Sequence, residues 1–261
     1  MSHIHLPDGV LPFYWWAAGM AASFIITLVV LKRLKPEDVR RRIPFVGILA
    51  AFMLITMSVP LGIIPVHLSL AVLCGILAGP GLGFLAVVVV NVMLAFFGHG
   101  GITVVGINTL ILGSEAVIGS YLYRILCGRI RNTAAAVLSV AASLLVSTAL
   151  MVVIVGSTAG IAEALPHSGG HSEEAHMETG TETGEAPVTD ESEPNVGDEA
   201  KAHIGVDSLR YLLFSGWGAL FAIYIAGIAV EAAATALVVN FFLKVRPDLV
   251  MGSKGLTSSG N

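Results

Sequence analysis

The sequence predicts an all-α, polytopic membrane protein, and three observations carry that expectation. Of its 261 residues, 55% are hydrophobic and only 12% are charged, against roughly 25% charged in an ordinary soluble domain. Apolar runs of about 20 residues recur along the chain, each long enough to cross about 30 Å of hydrocarbon. The runs lack the alternating polarity of a barrel, so helices, which satisfy their own backbone groups, are the spanning element. The formal net charge of -4 says little by itself, because the charges are segregated.

Taken in order, the first crossing is expected over residues 13–31, opened by the aromatics Phe13, Tyr14, Trp15 and Trp16. It ends in a basic run, Lys32, Arg33, Lys35, Arg40, Arg41 and Arg42, broken by Pro36. A second crossing follows over 44–61 and gives way to a Gly62-to-Val66 break containing Pro65. The third apolar stretch, 67–78, is short for a full crossing and reads as a broken or partial span turning at Gly79-Pro80-Gly81. Crossings over 82–97, 102–126 and 134–155 complete a group of six, with a glycine-rich turn, Gly98-His99-Gly100-Gly101, between the first two of these. The last apolar run, from Leu209 to Leu243, is too long for one crossing at 1.5 Å per residue. Its crossing is therefore expected to begin near Trp217.

Between the sixth and seventh crossings the composition changes. Residues 156–207 hold 12 of the 18 acids, four of the eight histidines and almost no large apolar side chains. Such a segment buries too little to offset its ordering entropy and is expected to be disordered. The organisation is thus an amino-terminal stretch (1–12), six transmembrane helices (13–155), an acidic, histidine-containing extracytoplasmic loop (156–207), a seventh transmembrane helix (208–247) and a cytoplasmic tail (248–261).

Charge also sets the orientation. With seven crossings the loops alternate sides, and one side receives 12 of the 14 Lys and Arg residues, leaving Lys201 and Arg210 opposite. Basic loops stay in the cytoplasm, so the amino terminus is expected outside and the carboxy terminus inside, in the plasma membrane. The three tryptophans and all eight histidines then sort to the outer side. No basic leader or small-residue cleavage site is apparent, so no signal peptide is expected. Cys74 and Cys127 read as inert thiols rather than a disulfide framework.

The opening Met1-Ser2-His3-Ile4-His5-Leu6-Pro7-Asp8-Gly9 places two imidazoles within five residues of the chain start. Imidazole suits nickel, cobalt, copper and zinc, and a deprotonated amide between an amine and an imidazole favours square-planar Ni(II) or Cu(II). The competing reading is a polar tail with two incidental histidines. His67, after the Pro65 break, is placed to face a cavity at the outer surface; the alternative is an interface histidine. His99 belongs either to a tight re-entrant turn facing the site or to a plain connection. Glu115 and Glu231 are the only acids well inside the crossings. They read as hydrogen-bonded interhelical ties or docking points rather than as acid–base catalysts, since no nucleophile or metal-protease spacing accompanies them. Asn91 and Asn108 read the same way. Pairs such as Ala17/Ala21 and Gly75/Gly79, and the Ala/Ser-rich face of the sixth helix, permit close helix contact. There is no P-loop, dinucleotide fingerprint or nucleophile elbow, so any uphill transport draws its energy from a partner or a coupled ion.

His5-Leu6-Pro7-Asp8-Gly9-Val10-Leu11-Pro12 resembles the opening of the CbiM/NikM family, the substrate-capture membrane components of energy-coupling-factor transporters for cobalt and nickel. Pro65-Val66-His67-Leu68 with Ala78-Gly79-Pro80 is similar to a second block of that family. Phe97-Gly98-His99-Gly100-Gly101-Ile102-Thr103 with Gly106-Ile107-Asn108 matches a third. Val230-Glu231 through Thr235-Ala236-Leu237 to Asn240, then Val245-Arg246-Pro247-Asp248-Leu249, matches a fourth. The resemblance implies a metal held square-planar by the terminal amine, the amide and imidazole of a second-position histidine, and the histidine matched by His67.

This chain departs at its start. If Met1 is removed, Ser2 supplies the amine and His3 becomes the second residue. If Met1 stays, Met1-Ser2-His3 offers an amine, two amides and an imidazole. Ungapped alignment instead sets His5 on the family histidine. The expected ligands are therefore Ser2, His3 and His67, with His5 as a second candidate, and His99 and Asn108 around them. His99 stands where the family commonly has Asp.

The implied function is capture of Co(II) or Ni(II) outside the cell and delivery inward, with the ion as cargo and no resident cofactor. The implied partners are a transmembrane coupling subunit, cytoplasmic ATPase subunits and a small accessory membrane subunit, in a lipid setting without nucleic acid. Two other readings stand beside it. One is a passive membrane metal sensor. The other is an intramembrane enzyme using Glu115, Glu231 and a histidine.

Overall fold

A computed structural model describes Leu6, Asp8, Gly9 and residues 11–59, 67–159, 210–211, 214–215 and 217–251. Six helices form the larger part: α1 (Phe13–Arg33), α2 (Pro36–Ser58), α3 (Ala71–Ala78), α4 (Pro80–Phe96), α5 (Val105–Leu126) and α6 (Asn132–Ala159). Helix α6 runs to Ala159, four residues into the stretch expected as the acidic loop; the rest of that loop, with its four histidines, lies in 160–209, outside the described residues, and is followed by two-residue strands β1 (Arg210–Tyr211) and β2 (Phe214–Ser215). They pair antiparallel and lead into α7 (Trp217–Val245) and α8 (Pro247–Met251). Apart from that ladder, the described chain is helical. It is an all-α, multi-pass membrane protein: among the described residues five helices are long and apolar enough to cross a membrane, within α1, α2, α5, α6 and α7. Helix α4, at 17 residues, and α3, at eight, are shorter.

Two helix starts differ from the sequence reading by four residues or more, and those of α4, α5 and α6 by two or three. Helix α2 begins at Pro36, eight residues before its expected start at Pro44, which lies inside the helix. Proline is preorganised for the first helical position, where its missing N–H is no loss. The acid Glu37 follows in the first turn, where the helix dipole favours negative charge. Arg40, Arg41 and Arg42 are consequently helical rather than in a loop. Helix α3 begins at Ala71, four residues later than expected at His67, because Leu70 is left-handed (φ 52°). The seventh helix does begin at Trp217.

All eight residues of α3 are buried, and α5 is the most buried of the long helices. Helix α3 packs against α2, α4, α5, α6, α7 and α8, whereas α5 packs against α1, α3, α4 and α6. The centre of the bundle is therefore α3 beside α5. Their approach depends on Gly75, where a Cβ would run into the Ala116 carbonyl of α5. Non-helical backbone at membrane depth is tolerated where protein covers it, and the stretch before α3 meets that condition: Ser69 and Leu70 are buried. Helix α6 contributes its small face, with Ala135, Ala136, Ser139, Ser143 and Ser147 all buried.

The helix ends sort into two groups. At one end the Arg42 guanidinium donates to the Ala78 carbonyl at 3.4 Å, Leu34 lies against Gly81, and Arg124 sits beside Gly79. Asn240 donates to Thr133 Oγ1 at 3.0 Å near the same end, and Arg246 pairs with Asp248 just beyond α7. At the other end are Leu6, Asp8, the 97–104 connection, His67 and His99. Among the described residues, Arg42, Arg124 and Arg246 thus lie at the opposite end of the bundle from His67 and His99.

Candidate metal centre at the histidine end

The amino-terminal segment is tied to the bundle by its backbone. Asn108, in the first turn of α5, accepts from the Leu6 amide at 3.1 Å and donates to the Leu6 carbonyl at 3.3 Å. The Leu6 carbonyl also accepts from the Gly101 amide at 3.1 Å. One side-chain amide thus pairs with a passing backbone as a neighbouring strand would, satisfying both polar groups of a buried residue. Leu6 and Leu11 are buried with Val104, Ile107 and Ile111, and Trp15, Trp16 and the end of α6 close over them.

Asp8 makes the second tie. Its carboxylate accepts from the amides of Ile102 at 3.1 Å and Thr103 at 2.9 Å, and from the Thr103 hydroxyl. These bonds, the Thr103 hydroxyl first and its amide next, hold the Asp8 carboxyl below its usual range. A side chain at Gly101 would collide with that carboxylate, so glycine is required for the approach.

The 97–104 connection carries His99 as well. Gly98 and Gly100 take positive φ (73° and 96°) on either side of it, and the His99 amide donates to the Leu94 carbonyl at 2.8 Å. The turn is therefore fixed, with an exposed imidazole at its tip. Facing it is His67, half-buried, with ring centroids 5.6 Å apart and planes at 76°.

Beneath His67 the chain is gripped from two helices. The Glu231 carboxylate of α7 accepts from the amides of Ser69 at 3.4 Å and Leu70 at 3.1 Å, and from the Ser69 hydroxyl at 2.7 Å. Glu115 of α5 lies 3.2 Å from the same hydroxyl and 2.5 Å from that of Ser147 on α6. A short segment entering a helix leaves unpaired amides. Here a carboxylate from a distant helix accepts from the amides of Ser69 and Leu70, just ahead of α3, and fixes the backbone two residues from His67. The expectation that Glu115 and Glu231 are interhelical ties describes what is found. Asn91 is also buried and donates to Thr109 across α4 and α5 at 3.4 Å.

Of the residues the sequence singled out, the structure brings His67, His99 and Asn108 to one end, and Glu115 with Glu231 to a bridge below. Ser2, His3 and His5 lie outside the described residues; Leu6, the neighbour of His5, is the first described point on that segment. Among the described residues no group of three or more His, Cys, Asp or Glu converges on a point. Sequence reasoning missed the roles of Asp8, Thr103, Ser69 and Ser147. One signal was present: Asp8 is the only acid before Glu37, and an isolated carboxylate in an apolar stretch needs donors.

The fold and this end of the bundle define a class, a helical multi-pass membrane protein with two facing histidines at one end. The fold matches two solved structures, a truncated transition metal transporter (TM-score 0.62, 19% identity, 92% of this chain and 99% of that one) and a transition metal transporter (TM-score 0.61, 19% identity, 98% and 100%). Residues 5–249 match the family model CbiM, the cobalt uptake substrate-specific transmembrane region, and the chain belongs to that family. A relative from Sorangium cellulosum (strain So ce56), the cobalt transport protein CbiM, is 33% identical over 129 residues, covering 45% of this chain and 56% of that protein. The chain spans somewhat more than half the length of the curated relatives it matches.

Proposed function

We propose that this chain is the metal-capture component of an energy-coupling-factor importer, taking Co(II) or Ni(II) from outside the cell and delivering it inward. The observation that carries the reading is the double tie at Leu6 and Asp8, made on the connection that bears His99 and at the end where His67 lies. An anchor there leaves three residues between Leu6 and Ser2, a reach of roughly 10–14 Å at about 3.3–3.6 Å per residue. The Ser2 amine, the amide and imidazole of His3, and His67 then form the donor set, with His5 in reserve. Nitrogen donors of this kind suit Ni(II), Co(II) and Cu(II).

The histidine end faces outward and the basic end faces the cytoplasm, where Lys and Arg are retained. Counting α3 with its leading segment, and α4, as crossings gives seven and leaves the two termini on opposite sides. ATP hydrolysis belongs to two cytoplasmic subunits, coupled through a separate transmembrane subunit, with a small accessory membrane subunit beside them. The cobalt named in the family description and in the Sorangium relative supports cobalt as cargo, and the nitrogen-rich donor set keeps nickel beside it. An enzyme using Glu115 and Glu231 has little support, since both carboxylates are engaged in holding backbone and hydroxyl groups.

The test is metal analysis of the purified full-length protein together with mass spectrometry of its amino terminus. Replacing His67 or His3 with alanine is expected to lower Ni(II) and Co(II) affinity at least 100-fold. Undiminished binding in the His67→Ala protein would refute the site. A blocked amino terminus with stoichiometric metal would remove the amine from the donor set.

A further inference from the structure

A groove of about 590 Å³ runs between α6 and α7 toward the basic end of the bundle, and its apolar and polar linings are kept apart. On α7 the positions Ala233, Leu237 and Phe241 recur every four residues, with Val137 of α6 beside them; residues so spaced share one face of a helix. Leu237 and Phe241 are 71% and 56% exposed, so in a membrane this wall meets hydrocarbon. The polar lining, Thr133, Asn240 and Lys244, gathers at the end marked by Lys244, in the last turn of α7. The rise from Ala233 to Lys244 is roughly 16 Å at about 1.5 Å per residue, close to half of a hydrocarbon core about 30 Å thick. The groove therefore has the length of one leaflet, with donors where headgroups lie.

We propose that this groove holds a phospholipid with an anionic headgroup, its acyl chain along Ala233, Leu237, Phe241 and Val137 and its phosphate at Thr133, Asn240 and Lys244. The Asn240 amide donates to Thr133 Oγ1 at 3.0 Å, which leaves the second Asn240 N–H and the Thr133 hydroxyl proton for an acceptor. Phosphate oxygens are acceptors, and the lysine ammonium is a common point-charge partner for them. Helix α6 begins at Asn132, so the positive end of its dipole lies beside this cluster. Among the described residues no carboxylate lines the groove. Asp248, the nearest acid to Lys244 along the chain, is paired with Arg246. Basic pockets between transmembrane helices take anionic headgroups on these grounds. Two alternatives compete: a solvated lysine at a helix end, past which lipids exchange without preference, and a groove reserved for a helix of a partner protein. The inference is independent of the metal site.

The experiment places the full-length protein in phosphatidylcholine nanodiscs containing a trace of phosphatidylglycerol with a photoactivatable diazirine in its acyl chain. Crosslinks mapped by mass spectrometry are expected on 133–137 and 233–241. Excess unlabelled phosphatidylglycerol is expected to displace the label, and excess phosphatidylcholine is not. Label spread evenly over the exposed helix faces, or displaced equally by both lipids, overturns the proposal. So does a groove that takes up no label, as one reserved for a partner helix would.

That measurement needs only the wild type, and variants then locate the headgroup. Lys244→Ala is expected to weaken retention of phosphatidylglycerol about five-fold, the effect of one cationic side chain near a membrane surface. Ala233→Leu, which fills the apolar part of the groove, is expected to weaken it too. Arg33→Ala, at the same end of the bundle on α1 but outside the groove, is expected to leave it unchanged. Equal losses at Lys244 and Arg33 would reduce the effect to general surface attraction and overturn the proposal.

Discussion

Asn108 shows how one side chain organises a site it does not itself complete. Its amide pairs with both polar groups of the Leu6 backbone, so it restrains a chain end that would otherwise fray. Replacing it with leucine removes both bonds and leaves the buried Leu6 amide unsatisfied, which costs about 1–3 kcal/mol. Metal affinity is expected to fall about 10-fold or more, with the ligand set unchanged in the absorption spectrum of bound Co(II).

Asp8 adds a pH signature. Its folded pKa is depressed by the Thr103 and Ile102 donors, so its contribution is present above the unfolded value and is lost as pH falls through the folded one. The unfolded value is the ordinary 3.8. The tie is therefore expected to hold throughout the neutral and mildly acidic range and to release only below about pH 4. Hydrogen exchange at the Ile102 and Thr103 amides measures this; release near pH 6 would contradict it.

At the scale of elements, the short buried α3 depends on what surrounds it. Gly75 admits the α5 backbone, and even Gly75→Ala is expected to separate the two helices at about 1–3 kcal/mol. A lowered thermal midpoint in detergent measures that loss. Glu231 acts from α7 on the segment that carries His67. Glu231→Ala leaves the Ser69 and Leu70 amides without that acceptor, and both stability and metal affinity are expected to drop. Glu231→Gln retains a carbonyl oxygen and should recover part of both. Failure of glutamine to rescue either quantity would argue against a backbone-holding role.

For the whole molecule, the proposed orientation rests on Arg42, Arg124 and Arg246 lying at the end opposite His67 and His99. Cys127, partly exposed beyond α5 near the basic end, is a natural reporter, while Cys74 is buried in α3. A membrane-impermeant maleimide is expected to label Cys127 only after permeabilisation of intact cells. Labelling from outside would invert the proposed orientation.

The sequence by itself determined the class, the helical spans and the sorting of charge, because hydrophobic run length and Lys/Arg placement are local properties that a membrane reads directly. His67, His99 and Asn108 were legible as polar residues flanking apolar runs. Tertiary structure decided what those residues do. That Asn108 holds Leu6 across 102 positions, and that Glu231 holds Leu70 across 161, appears in no local pattern. These are bonds between a side chain and a distant backbone, and any amide or carboxylate forms them with any exposed peptide group. The packing of the Leu6 segment on α5, and of α3 between α5 and α7, chooses which one.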